Sequence, residues 1–197
     1  TFMIMAALAG TPGEPVEITH GNTDHLGPLF MDAFRDTGTS VTRDGDHLQV
    51  IPPDTIQPVT ITTEVYPGFP TDLQAQWTVL MTQAHGSATV TDTIYYDRFK
   101  HVPELQRMGA DIAVKENVAH IEGPTQLKGA QVMSTDLRAS VSLVMAGTVA
   151  EGTTDVLRIY HLDRGYEDLE DKLQNAGLSV RREPYDEFKQ PVPHIVD

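Results

Sequence analysis

Apolar and polar positions along the chain fall into a unit that recurs. Amphipathic helical stretches end in a glycine, and after two further residues a β-branched residue opens a strand-like run. Thr37-Gly38-Thr39-Ser40-Val41, Met108-Gly109-Ala110-Asp111-Ile112 and Ala176-Gly177-Leu178-Ser179-Val180 share this pattern, their glycines 71 and then 68 positions apart. Glycine there suits a helix C-cap, because it takes positive φ without steric cost, and the β-branched residue favours the strand that follows. Gly10, Gly86 and Gly152 form a second series. Each closes an apolar helical stretch and precedes a strand expected at 16–19, 88–95 and 155–162. Further helices are expected at 101–108 and 166–176.

One unit therefore reads strand, helix, strand, helix, strand, with an extra strand where room allows. Such alternation predicts an α/β fold with helices packed against sheets. The expected organisation is a single domain, 1–188, of three units stacked around shared helices (about 1–57, 58–124 and 125–188). Residues 51–58 read as a connection between units, and 189–197, with Pro191 and Pro193, as a loose tail. The apolar run 2–9 has no basic flank and reads as the remainder of a helix, not a signal peptide. The first unit would then lack its leading strand. Trp77, in register with Leu73, Leu80 and Met81, is expected in the core.

Composition narrows the function. The formal net charge is −14, with 21% charged and 40% apolar residues. So acidic a surface argues against nucleic acid, which needs a basic footprint. No apolar run approaches the roughly 20 residues of a membrane span. The chain has no cysteine, which excludes disulfides and thiolate chemistry and fits a reducing compartment. The eight histidines show no metal-ligand spacing, and no Walker or Gly-x-Gly-x-x-Gly loop occurs, so neither a metal nor a cofactor is expected.

Chemistry-bearing residues also repeat. Thr71-Asp72-Leu73-Gln74-Ala75 recurs 64 positions later as Thr135-Asp136-Leu137-Arg138-Ala139, each opening a helix. Thr71 with Gln74 fits a capping box, and Thr135 fits an N-cap. Asp72 and Asp136 would complement the helix dipoles. Asp97-Arg98 recurs 66 positions later as Asp163-Arg164, each between a strand and a helix. In layered α/β folds, ligands gather at strand ends and helix N-termini. Three arginines (Arg98, Arg138, Arg164) and two carboxylates at one end of a domain fit a small, doubly anionic ligand and a proton to move. They fit a set of inter-unit salt bridges equally well. His101 and His161 read as structural. Glu167, Asp168, Glu170 and Asp171 read as a solvated acidic helix start.

Longer motifs carry a resemblance. Pro67-Gly68-Phe69-Pro70-Thr71-Asp72-Leu73-Gln74-Ala75-Gln76, Arg98-Phe99-Lys100-His101-Val102-Pro103-Glu104-Leu105, and Gly129-Ala130-Gln131-Val132-Met133 running into 135–139 resemble the UDP-N-acetylglucosamine 1-carboxyvinyltransferases. Ala150-Glu151-Gly152-Thr153-Thr154 and Ile159-Tyr160-His161-Leu162-Asp163-Arg164-Gly165-Tyr166 extend the match, which is strongest over 60–182. The resemblance implies one domain of an inside-out α/β barrel of repeated βαβαββ units, here about the C-terminal half of a two-domain cytoplasmic enzyme. It implies transfer of enolpyruvyl from phosphoenolpyruvate to the 3-hydroxyl of UDP-N-acetylglucosamine, which opens peptidoglycan synthesis. By the same resemblance, Asp72 contacts that hydroxyl as the candidate base, and Ile94 contacts the nucleotide sugar through its backbone. Arg98, Arg138 and Arg164 hold the anionic groups of phosphoenolpyruvate. Leu137 lies in the substrate-binding segment, and Asp136 stands near the reacting carbon.

The family's general acid, most of its uridine contacts and a lysine-asparagine pair belong to the half not matched here. Tyr95-Tyr96-Asp97 stands where many members carry Phe-Glu-Asn. The expected partners are therefore the two substrates, a complementary N-terminal half, or a second copy of the chain. Two rival readings stay open: a 5-enolpyruvylshikimate-3-phosphate synthase-like enzyme, and a non-catalytic binding or scaffold domain.

Overall fold

The structure, a computed structural model, describes residues 1–184; the expected tail at 189–197 lies outside them. Along the described residues, α1 (Phe2–Ala9) is followed by β1 (Val16–Ile18), α2 (Pro28–Asp36), β2 (Ser40–Asp44) and β3 (His47–Ile51). Next come β4 (Ile61–Thr63), α3 (Gln74–Thr82), β5 (Gly86–Asp92), α4 (Val102–Arg107), β6 (Asp111–Lys115) and β7 (Val118–Gly123). Then follow β8 (Gln131–Met133), α5 (Leu137–Val149), β9 (Asp155–Leu157) and α6 (Leu169–Asn175).

Helices α1, α3 and α5 pack on one another at the centre. The reason is compositional. α1 is Phe-Met-Ile-Met-Ala-Ala-Leu-Ala, with no polar face to offer water, and Met3 to Leu8 are all buried. Every residue of α3 is buried. A helix covered on all sides belongs inside a molecule. The polar residues of α3 are satisfied locally: Thr78 Oγ1 donates to the Gln74 carbonyl at 3.0 Å and Thr82 Oγ1 to the Val79 carbonyl at 2.7 Å.

The sheets lie outside these helices. β1-β3-β2 is antiparallel throughout. In β4-β5-β7-β6 the first pair is parallel and the others antiparallel. β8 and β9 pair in parallel. Along β5 burial alternates, with Ala88, Val90 and Asp92 facing inward. The α/β class and the helix-inside layering follow the sequence pattern.

The glycines that end α2, α4 and α6 have φ of +91°, +97° and +89° at Gly38, Gly109 and Gly177, as expected of C-caps; the expected strand follows the first two, but residues 178–184 form none. The second series is less uniform. Gly86 and Gly152 have positive φ, but Gly10 is extended at −73°. Gly10 serves packing instead, since a Cβ there would meet the Ala6 carbonyl at 2.6 Å and Pro52 at 2.7 Å. The strand expected at 155–162 stops at Leu157. Arg158 turns left-handed at φ 57°, and Ile159–Arg164 is a 3-10 helix that buries Leu162. Asp163-Arg164 therefore ends a 3-10 helix and not a strand. The helix expected at 166–176 begins at Leu169, after Asp168 at φ 46°.

Trp77 is fully buried and donates its indole N–H to the Val59 carbonyl at 3.3 Å. Phe69 packs edge-on against it at 5.1 Å, and Phe30 stacks on Phe34 at 5.6 Å. This cluster joins α2, α3 and the segment just before Thr71. It fixes the turn that carries Asp72.

Candidate active site

Thr71–Leu73 forms a 3-10 turn ahead of α3. That extra turn separates Thr71 from the first free N–H groups of α3, so the expected Thr71–Gln74 capping box does not form. No side chain caps α3. Thr71 Oγ1 instead donates to Asp92 Oδ2 at 2.6 Å. Asp72 points outward, its side chain 68% exposed.

Asp92 ends β5 on the inward face and is only 1% exposed. Its Oδ1 accepts the backbone N–H of Ile94 and of Tyr95, each at 2.9 Å. The Ile94 N–H is thus already engaged by the protein. The loop turns at Asp97, φ 61°, and returns Arg98 to the start of α3. Arg98 Nε donates to Thr71 Oγ1 at 3.3 Å, and its Nη2 lies 3.5 Å from Asp72 Oδ1. Its guanidinium lies 4.3 Å from the centre of the Tyr95 ring, a cation–π contact. These contacts leave the Arg98 side chain 15% exposed.

The third contribution is the N-terminus of α5. Asp136, not Thr135, is its N-cap, and Asp136 Oδ1 accepts the N–H groups of Arg138 at 2.8 Å and Ala139 at 3.2 Å. Arg138 leaves the first turn toward Asp72. Its Nε lies 2.6 Å and its Nη2 2.5 Å from Asp72 Oδ1. Two guanidinia therefore converge on one oxygen, while Asp72 Oδ2 takes no bond among the described residues. The adjacent starts of α3 and α5 also bring positive dipole ends to this region.

Other expected residues stand nearby in different ways. Leu137 packs on Gly165, where an added Cβ would come within 2.9 Å of it. Arg164, just before Gly165, is exposed and makes no bond among the described residues. Asp163 is taken by Arg182, with contacts of 2.7 and 3.1 Å, and this bond holds its carboxyl below the usual range. The two Asp-Arg pairs are thus alike in sequence and unlike in bonding. The acidic start of α6 is not wholly solvated, because Glu170 also pairs with Arg182 at 2.9 Å.

Four neighbours are not among the site residues expected from the sequence. Thr71 and Asp92 link Arg98 to the sheet, and Tyr95 covers its guanidinium. Tyr166 bonds Thr1 Oγ1 at 2.6 Å and feels the charges of Asp72 and Arg138; burial pushes its hydroxyl pKa up. For Asp92 a signal existed: a carboxylate at an inward position of an otherwise apolar alternation. His101 is structural, as expected. It is 2% exposed, and its ring donates to the Arg98 carbonyl. Burial lowers its pKa to about 4, against the opposing pull of Asp136 and that bond. Its Nε2 has no partner among the described residues. No cluster of three or more His, Asp or Glu among the described residues could hold a metal ion.

Asp72, Arg98 and Arg138 thus meet directly, with Asp136 beside them at the start of α5. Such a centre can bind an anion through the guanidinia and accept a proton at the open carboxylate oxygen.

Comparison with known proteins agrees with the motifs. The UDP-N-acetylglucosamine 1-carboxyvinyltransferase of Chlorobium phaeovibrioides is 50% identical over 184 residues, covering 93% of this chain and 43% of that protein. The protein of the same name from Pelodictyon phaeoclathratiforme is 54% identical over 185 residues, again 43% of its length. The chain thus spans less than half the length of these relatives. The crystal structure of the enolpyruvyl transferase NikO from Streptomyces tendae superposes with a TM-score of 0.82 at 28% identity, over 91% of this chain and 43% of that one. EPSP synthase from Acinetobacter baumannii shares the fold, with a TM-score of 0.65 at 17% identity, over 92% and 43%. The profile of the EPSP synthase (3-phosphoshikimate 1-carboxyvinyltransferase) family matches residues 1–173, and this chain belongs to that family.

Proposed function

We propose that the chain supplies about half the active site of an enolpyruvyl transferase acting on phosphoenolpyruvate and UDP-N-acetylglucosamine. The observation that carries this reading is the convergence of Arg98 and Arg138 on one oxygen of Asp72, with the other oxygen open. Identity near 50% to proteins named for that activity supports the nucleotide sugar over shikimate-3-phosphate. In the proposed reaction, Asp72 accepts the proton of the sugar 3-hydroxyl. That oxygen bonds to C2 of phosphoenolpyruvate while C3 gains a proton; phosphate then leaves C2 and C3 loses a proton, restoring the double bond. Arg98, Arg138 and the exposed Arg164 hold the carboxylate and phosphate. Their fixed positive charge stabilises the charge that develops in the transition state. Asp136 takes part in proton traffic at C3. Leu137 shapes the substrate segment, and the backbone at Ile94 meets the nucleotide sugar.

The proposal extends to context. The reaction opens peptidoglycan synthesis in the cytoplasm. The partner is a complementary N-terminal half that brings the general acid and the uridine contacts. A second copy of this chain can cover the same face when that half is absent; a strictly monomeric species in light scattering at high concentration would exclude this. The chain forms one domain of three units, with boundaries near residues 57 and 124.

The test is phosphate release from the two substrates, for this chain alone and mixed with an N-terminal half from a related enzyme. Activity only in the mixture supports a divided site. Turnover by the purified chain alone overturns the division. Activity dependent on shikimate-3-phosphate overturns the substrate.

A further inference from the structure

We propose that Asp92 is a positioning residue for Arg98. The inference rests on the reading of Arg98 as an anion-binding residue and adds how its guanidinium is held ready.

Asp92 connects three parts of the site at once. Oδ2 takes the hydroxyl proton of Thr71, which carries the Asp72 turn. Oδ1 takes the N–H groups of Ile94 and Tyr95, which carry the loop to Arg98. Asn117 Nδ2 donates to the Asp92 backbone carbonyl at 2.9 Å and holds the strand end itself. A carboxylate this buried is costly unless each oxygen is bonded, and here each is.

The direction of these bonds matters. Because Thr71 gives its only proton to Asp92, its lone pairs face Arg98 Nε at 3.3 Å. Hydrogen bonds in series polarise one another, so the buried carboxylate makes Thr71 Oγ1 a better acceptor for the guanidinium. Tyr95, fixed through its N–H, supplies the ring face on the other side of Arg98 at 4.3 Å. Nε and one face of the guanidinium are thereby committed to the protein. The Nη groups remain for Asp72 and for an incoming anion. Asp92 touches no substrate in this arrangement and acts only through Thr71 and Tyr95.

The substitution Asp92→Asn keeps the shape but reverses the first bond. The amide oxygen would still accept the N–H groups of Ile94 and Tyr95, while the amide nitrogen would donate to Thr71. The Thr71 proton would then turn toward Arg98, where it repels Nε–H.

The experiment uses the whole chain, without ligand and then with phosphoenolpyruvate as probe. The Nε–Hε resonance of Arg98 is followed by nuclear magnetic resonance in wild type, Asp92→Asn, Thr71→Val and Thr71→Ser. The expected result is a protected resonance in wild type and Thr71→Ser, with protection lost in Asp92→Asn and Thr71→Val while the other amide signals stay in place. In the same two variants phosphoenolpyruvate binding should weaken about tenfold. An unchanged Arg98 resonance in folded Asp92→Asn overturns the proposal. Should Asp92→Asn not fold, the threonine pair decides, and an unchanged resonance in Thr71→Val overturns it. The ligand-free resonance stands apart from the functional reading: phosphoenolpyruvate bound neither by the chain alone nor by its mixture with the N-terminal half counts against the function, while the resonance still decides the role of Asp92.

Discussion

At the scale of single residues, Asp72 combines exposure with strong local pairing. An exposed carboxylate contributes little to folding even when paired, typically below about 1 kcal/mol. As the proposed base its value to chemistry would be far larger, since a positioned base contributes about 10²–10⁴-fold. Asp72→Asn should therefore leave the denaturation midpoint of the chain nearly unchanged and lower phosphate release in the reconstituted enzyme by that factor. Equal losses of stability and activity would point to a structural carboxylate. His101 is the opposite case, buried and remote from solvent. Its folded pKa, about 4, lies below the usual 6.5. Between those values the unfolded chain binds the extra proton, so stability falls as pH falls through the window and the loss saturates below it. From pH 7 to 5.5, above the range of ordinary carboxylates, the cost is about 1 kcal/mol. Urea unfolding at the two pH values should show this slope in wild type and a flatter one in His101→Phe.

At the scale of elements, the start of α5 serves fold and site together. Asp136 caps the helix through the N–H groups of Arg138 and Ala139, and so sets the direction in which Arg138 leaves the first turn. Asp136→Ala should cost about 1 kcal/mol of stability through the lost cap. Asp136→Asn retains an accepting oxygen and should cost only a few tenths of that scale. If Asp136 also moves a proton, the asparagine variant loses activity in the reconstituted enzyme while keeping its stability; activity equal to wild type would leave the cap as its whole role. The start of α3 solves the same problem differently. There the 3-10 turn and the anchor of Phe69 on Trp77 hold the segment without a side-chain cap.

At the scale of the molecule, the central helices position the site. α3 and α5 lie against each other inside the sheets, and the 3-10 turn ahead of α3 and the first turn of α5 bring Asp72 and Arg138 together from positions 66 residues apart. Core integrity should therefore govern site integrity. Trp77→Ala, which empties a fully buried position, should lower unfolding free energy by about 3–5 kcal/mol and broaden the Arg138 signals in proportion. The overall charge of −14 makes the cluster of guanidinia a local exception in an acidic field. No helix among the described residues is long and apolar enough to cross a membrane.

The chain's own sequence determined what depends on local stereochemistry and on periodicity. Gly38, Gly109 and Gly177 suit helix C-caps because the φ near +90° that they adopt strongly disfavours other side chains. The alternation of helices and strands set the α/β class, and the motifs around Asp72, Arg98 and Arg138 carried the family. What the sequence did not contain was the relation between segments distant in the chain. Thr71 fits a capping box locally, yet a buried carboxylate 21 residues later takes its hydroxyl. Asp97-Arg98 and Asp163-Arg164 read as one repeated device, yet Arg182 captures Asp163 while Arg98 turns to Asp72. Gly10 matches its series in sequence but exists for the close approach of Pro52. In each case hydrogen bonds and packing between remote segments outweighed the local preference. Only the folded arrangement, by setting which groups lie within about 3 Å of each other, decides such contests.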